Sequence, residues 1–248
     1  MSVSMLEPVA WSAAPSNTEL GNGEVHLWRA DLNQNSDVVR RMWRLLNEEE
    51  QERAKRYAFE RDRNHFTLAR AILRQLLSRY LRYSAEDIEF AVAPKGKPAV
   101  RGNPELRFSL SHSGGLALYA LSLNRELGVD LERKKPEIPS LDIVESYFST
   151  RERAEFLALP RNIQNLAFYV GWTRKEAYLK ARGEGLHMKL EDFDVSMNPG
   201  QPAVLSSEDA TRWQLRSFCP EQDFVAALVV EGADCELRYW EWRLDPGA

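Results

Sequence analysis

Residues 172–186 read WTRKEAYLKARGEGL. Trp172, Glu176 and Lys180 recur at intervals of four, so on a helix they form one row along a single face. Gly183 and Gly185 then supply the backbone freedom with which helices commonly end. A glutamate four residues ahead of a lysine is by itself an ordinary surface pair worth about 0.3–0.5 kcal/mol. Trp172 and Tyr178 inside the stretch do not suit a wholly solvated face. The helical pattern reaches back to about residue 162, with shorter helices predicted near 140–147 and 150–158. Four strand-like segments follow it: DFDVSM, RWQLRSF, FVAALVV and ELRYWEW. Helices gathered ahead of a run of strands predict an α+β fold.

The first half has a similar order of elements, although no sequence repeat is visible. EVHLWRADL reads as a strand, and Asp37 stands as a capping residue before Val38, Val39, Met42, Trp43, Leu45 and Leu46, apolar at helical spacing. Asn47 with Glu50 forms a capping box for NEEEQERAKRY, whose charge predicts an exposed face. From about 62 to 80 a stripe of Phe66, Ala69, Ile72 or Leu73, Leu76 and Tyr80 predicts a long amphipathic helix. Strands follow at DIEFAVA, LRFSLSHS, GLALYALSL and LGVDLER, separated by Gly, Pro and Asn. The expected organisation is a flexible tail over 1–18, an N-terminal lobe over 19–123 and a C-terminal lobe over 124–248, whose last strand is free to pack back on the first lobe.

A chain of 248 residues with 44% hydrophobic composition can bury a sizeable core. A formal net charge of −4 gives no global field for nucleic acid or an anionic membrane, so phosphate recognition must be local. Cys219 and Cys235 fit neither a disulfide framework nor a zinc site, which predicts a reducing cytoplasm. The N-terminal stretch has no basic region before an apolar one, and FVAALVV is far too short to span a bilayer. A soluble protein is expected.

Four motifs carry candidate chemistry. In GVDLER, Asp130 and Glu132 leave the same face of a strand, with Val129 and Leu131 turned to the core. Two hydrated acids at an exposed edge would look the same. If Glu176 joins them, three carboxylates converge, a hard-oxygen set suited to Mg2+. In FSLSHSG, Ser111 and His112 end a strand; such pairs are common by chance, and no G-x-S-x-G elbow supports a hydrolase triad. In PKGKP, Lys95 and Lys97 flank Gly96 ahead of Pro98, a phosphate grip or an ordinary surface turn. Arg53, Lys55, Arg56, Arg61, Arg63 and Arg70 form a basic group among many acids.

In combination and in this order, K-G-K-P, F-S-L-S-H-S, G-V-D-L-E and W-x-x-K-E-A-x-x-K-x-x-G-x-G-L resemble the Sfp-type 4'-phosphopantetheinyl transferases, particularly the two-lobed bacterial and cyanobacterial members. The likeness runs from EVHLWR to the last tryptophan-containing strand. It implies transfer of the phosphopantetheine arm of coenzyme A to a serine of an apo acyl or peptidyl carrier protein, releasing adenosine 3',5'-bisphosphate. It also implies Mg2+ held by Asp130, Glu132 and Glu176, Glu176 as general base, and Lys180 neutralising the departing phosphate. Coenzyme A would meet Ser111, His112, Asp130 and Lys180, the turn of Lys95, Gly96, Lys97 and Pro98, and Arg53 at its 3'-phosphate. Glu50 stands where some relatives have a further lysine, and Ser109 where asparagine is commoner. Two similar lobes related by a pseudo-twofold, with the site in the cleft between them, and a monomer are expected. Arg151, Arg153, Arg161, Arg174 and Arg182 offer a docking surface for an acidic carrier or simply a solvated helical face. A coenzyme A binder without turnover and a pyrophosphate hydrolase remain as alternatives.

Overall fold

The computed structural model describes residues 6–92, 96–137, 141–183 and 188–244. After the two-residue β1 (Ser12–Ala13) come β2 (Glu24–Asp31) and three helices, α1 (Ser36–Trp43), α2 (Glu48–Lys55) and α3 (Glu60–Leu81). A small hairpin, β3 (Phe90–Val92) and β4 (Pro98–Val100), leads into β5 (Leu106–Ser113) and β6 (Leu116–Leu123). The same order then recurs: β7 (Leu127–Arg133), α4 (Leu141–Tyr147), α5 (Thr150–Ala158), α6 (Arg161–Arg182), the hairpin β8 (Asp194–Val195) and β9 (Leu205–Ser206), then β10 (Trp213–Phe218) and β11 (Phe224–Glu231). β12 (Glu236–Glu241) closes the series.

The two halves also pair alike. β6 lies between β2 and β5, and β11 lies between β7 and β10, with every one of these neighbours antiparallel. β12 departs from the repeat: it runs parallel to β2 and joins the first sheet, with β1 on its outer edge. The α+β reading therefore holds, as two similar lobes each carrying a 22-residue helix on its sheet.

Local chemistry explains the helix ends. α1 is capped by Asn35, whose side chain accepts from the amides of Asp37 and Val38; Asp37, expected as the cap, lies inside the first turn and pairs with Arg40. The cap moved because Asn35 is the residue with extended backbone, which alone lets a side chain fold back onto those amides. α2 has the expected Asn47–Glu50 capping box, and α5 has its counterpart in Ser149 and Glu152. Both long helices stop at a left-handed residue, Arg82 in α3 and Gly183 in α6.

Each capping-box glutamate continues inward. Glu50, placed on an exposed face by its composition, is only 7% exposed and binds Arg70 (Nη2, 2.6 Å) and Arg74 (Nε, 2.8 Å) of α3. Glu152 binds Lys175 of α6 at 2.7 Å, and Lys175 also donates to the carbonyls of Leu190 and Phe193. The rest of the α2 charged face is exposed as expected, and in each lobe only the capping-box carboxylate turns inward, where a cation satisfies it.

Three apolar layers result. One core lies between α3 and the first sheet and another between α6 and the second. The third lies between the sheets, with Val25, Leu27, Leu118 and Ala120 facing Val129, Leu131, Ala226 and Leu228. Of the stretch read as a tail, residues 1–5 lie outside the described residues; Leu6 is buried with the second lobe's core, and Trp11 donates to the carbonyl of Pro220.

Candidate active site

β5 and β7 lie side by side at the boundary of the two sheets, and no backbone ladder joins them. Alternate serines bridge the gap instead, since residues two apart on a strand share a face. Ser109 Oγ accepts from the amide of Val129 at 3.1 Å. Ser111 Oγ donates to Asp130 Oδ1 at 2.9 Å. Ser113 Oγ donates to Glu132 Oε2 at 2.8 Å and accepts from the amide of Arg133 at 3.1 Å. The departure at Ser109 thus has a structural role, and the signal for it, S-x-S-x-S, was visible in FSLSHS.

α6 lies directly on the other side of β7. A Cβ at Gly128 would sit 2.1 Å from the carbonyl oxygen of Ala177 and 2.4 Å from the amide nitrogen of Ala181, so a residue without a side chain is required there. This close approach brings Lys180 Nζ to 2.8 Å from Asp130 Oδ1 and 3.1 Å from the carbonyl of Val129. Lys180 Nζ therefore pairs with Asp130 inside the same helix–strand junction.

The carboxylates sense one another. Asp130 is 5% exposed and its Oδ2 has no hydrogen-bond partner, a cost that a buried carboxylate oxygen rarely carries without reason. Burial raises the pKa of Glu132; the Ser113 hydroxyl opposes this, and the charge of Asp130 adds to it. Burial also raises that of Glu176, with the charges of Asp130 and Glu132 adding to it and Lys180 opposing. Asp130, Glu132, Glu176 and Lys180 therefore form one electrostatic unit. Among the described residues, no group of three His, Cys, Asp or Glu side chains is already arranged as a metal cage. The donor chemistry nevertheless fits a hard cation that keeps water and substrate oxygens in its shell, since the unpartnered Asp130 Oδ2 asks for a positive partner.

Two cavities open beside this unit and meet at Ser113, Gly114 and Arg133. One, of about 480 Å3, is lined by His112, His65, Arg61, Tyr57 and Asn33. The other, of about 950 Å3, is lined by Glu132, Lys134, Lys135, Trp172, Phe168 and Tyr147. Gly114 has φ +55 and a Cβ there would meet Arg133 Cδ at 2.5 Å, so the glycine lets Arg133 cross between them. Burial, then His65 and Lys180, lowers the pKa of His112. His65 was not singled out by sequence reasoning; a lone histidine on a helix carries no spacing signal.

The remaining candidates are spread more widely. Lys97 donates to Glu126 Oε2 at 2.6 Å and to the carbonyls of Leu127 (2.9 Å) and Ala181 (3.5 Å), so its ammonium is held at the end of α6. Gly96 is exposed at φ +92 and Pro98 is exposed at the start of β4, while Lys95 lies outside the described residues. Arg53 is exposed and its guanidinium covers the ring of Phe66 at 5.2 Å; Phe66 in turn packs on Tyr57, which lines the smaller cavity. Of the arginines read as a docking surface, Arg174 is 1% exposed and cannot serve in one, because α6 turns it into the lobe.

Comparison with known proteins matches the two halves separately. Residues 28–124 match the family described as 4'-phosphopantetheinyl transferase, N-terminal, and residues 126–229 match the 4'-phosphopantetheinyl transferase superfamily. The chain is 35% identical over 235 residues to 4'-phosphopantetheinyl transferase HetI of Nostoc sp., covering 94% of this chain and 98% of that one. It is 30% identical to 4'-phosphopantetheinyl transferase Sfp of Bacillus subtilis, over 78% of this chain and 86% of the relative. A putative 4'-phosphopantetheinyl transferase of Synechocystis sp., slr0495, is 34% identical over 70% of this chain and 72% of its own length.

Proposed function

The chain belongs to the 4'-phosphopantetheinyl transferases, and from that premise we propose how its cleft moves the phosphopantetheine arm of coenzyme A onto a serine hydroxyl of an apo carrier protein. One observation carries the proposal: Asp130, Glu132, Glu176 and Lys180 form a single electrostatic unit with an unpartnered carboxylate oxygen, beside cavities large enough for a nucleotide.

Coenzyme A binds with its phosphates toward His112, Ser111 and Arg133, the adenosine side in the smaller cavity, and the 3'-phosphate toward Arg53. Attack by the carrier serine forms a bond from its oxygen to the phosphorus bearing the pantetheine arm. The bond from that phosphorus to the bridging oxygen breaks, and adenosine 3',5'-bisphosphate leaves. Glu176 takes the serine proton, and the pKa raised by burial and the neighbouring acids makes it a stronger base than an ordinary carboxylate. The Lys180 ammonium is placed to offset charge on the leaving phosphate. The hydroxyls of Ser111 and Ser113 hold Asp130 and Glu132 in place. Asp130, Glu132 and Glu176 would hold a divalent cation such as Mg2+, which when bound supplies positive charge across the two phosphates.

We also propose that the chain works as a monomer with lobes divided near residues 122–126, since both halves of the site lie within one chain. A cytoplasmic setting is supported by two cysteines that are both free. No described helix is long and apolar enough to cross a membrane.

The test is mass spectrometry of an apo carrier protein incubated with this chain, coenzyme A and Mg2+. A gain of one phosphopantetheine on the carrier is expected. Coenzyme A cleavage with no carrier present would favour the hydrolase, and binding without any product the inactive binder.

A further inference from the structure

Among the described residues, three cations are fully buried: Arg74, Arg174 and Lys175. Two of them face a carboxylate, Arg74 at 2.8 Å from Glu50 and Lys175 at 2.7 Å from Glu152. Arg174 does not. Its Nε donates to Ser217 Oγ (2.8 Å) and its Nη1 to the carbonyl (2.5 Å) and hydroxyl (2.7 Å) of Ser196, all neutral groups. Glu155 attracts it from farther off, but Glu155 Oε1 is taken by the amides of Met197 and Asn198. Burial brings the Arg174 pKa down to about 10, which still leaves it charged at neutral pH.

Arg174 lines a cavity of about 500 Å3 that shares no residue with the two beside Glu132 and His112. It stands two positions before Glu176, about 200° around a helix with 3.6 residues per turn, so it serves the opposite side of α6. Pro8, Val9, Pro202, Leu215 and Phe218 give the cavity an apolar patch within a mixed lining, Arg216 adds a second cation, and Glu7 is the acid on its wall. A buried guanidinium with no carboxylate within ion-pair distance, on the wall of a cavity of small-ligand size, is a binding site short of its anion.

We propose that this cavity binds a small organic carboxylate with a short apolar body, whose charge pairs with Arg174 and so stabilises the lobe that carries α6. The inference is independent of the transferase reading: it needs no coenzyme A and no catalytic residue.

Octanoate is the probe, with octan-1-ol as its uncharged counterpart of equal length, each titrated into the full chain by calorimetry and by thermal unfolding. Octanoate is expected to bind and to raise the unfolding midpoint, because a ligand of the folded state stabilises it by mass action. Octan-1-ol is expected to do neither. Arg174→Met should weaken octanoate by about tenfold or more, the size of a lost charge-assisted contact, while carrier modification in carboxylate-free buffer stays near wild type. Ala203→Trp fills the cavity from its loop side and leaves Arg174 itself in place, and should also abolish binding even if Arg174→Met fails to fold. Equal binding of octanoate and octan-1-ol, no binding of octanoate by the wild type, or wild-type affinity in either variant would overturn the proposal.

Discussion

The hydroxyl of Ser113 serves two partners, giving its proton to Glu132 and accepting the amide of Arg133. Ser113→Ala removes a donor that stabilises ionised Glu132, so its already raised pKa should rise further. The expected result is a kcat/KM for carrier modification lower by about tenfold, an acid limb of the pH profile moved to higher pH, and an unchanged unfolding midpoint. Ser113→Thr should restore the profile; an unmoved limb in Ser113→Ala would mean that the serine only fills space. As the proposed base, Glu176 sets a second pH limit. Burial and the neighbouring acids raise its pKa, and a base must be ionised, so turnover should fall as pH drops through that raised value and level off above it. At Arg53, whose guanidinium covers Phe66, replacement by Ala should weaken coenzyme A more than its 3'-dephospho analogue, as measured by calorimetry. Equal losses would remove Arg53 from the 3'-phosphate.

Among the elements, α6 bears most of the constraint. Its contact with β7 leaves no room for a Cβ at residue 128, so Gly128→Ala should cost about 3 kcal/mol or more of stability and most activity. Its other side is held by the buried Glu152–Lys175 pair. Replacing Lys175 alone by Met strands Glu152 and should cost about 3–5 kcal/mol in denaturant unfolding, whereas Lys175→Met with Glu152→Leu should recover much of that. A double variant no better than the single one would show that the pair is not a closed unit. At α3, His26 Nδ1 lies 2.7 Å from the Tyr80 hydroxyl. Trp28 also donates to that hydroxyl, so the hydroxyl gives its own proton to a neutral His26. Burial lowers the His26 pKa, so below the usual 6.5 the unfolded chain takes up a proton that the folded one still refuses. Stability should therefore fall as pH drops below about 6.5 and be insensitive to this group above it, and His26→Gln should remove that part of the slope. These elements also mark what was legible in advance. Helix rows, capping boxes and strand alternation are local and could be read from spacing. The burial of Glu50 and Arg174, the serine stitches and the His65 cavity depend on partners twenty to fifty residues away, which no local period encodes.

At the scale of the molecule, a repeated lobe raises the question of whether the site repeats too. α6 starts at Arg161 and α3 at Glu60, 161 − 60 = 101 residues apart, and both run for 22 residues. That offset puts Gln75 opposite Glu176 and Arg79 opposite Lys180, and Arg79 lies over the ring of Trp28 at 5.6 Å rather than against an acid. The first lobe thus lacks the glutamate and the acid-paired lysine of the proposed site, and calorimetry should find one coenzyme A per chain; two equivalent sites would contradict this. Everything in the site returns to the placement of Glu176 beside Asp130 and Glu132. The most direct check is Glu176→Gln, comparing the rate of phosphopantetheine transfer to an apo carrier with the affinity for coenzyme A in the same preparation. Transfer should fall by roughly a thousandfold or more while coenzyme A still binds within a few-fold of wild type. Wild-type transfer by that variant would contradict the placement of the proton acceptor at Glu176.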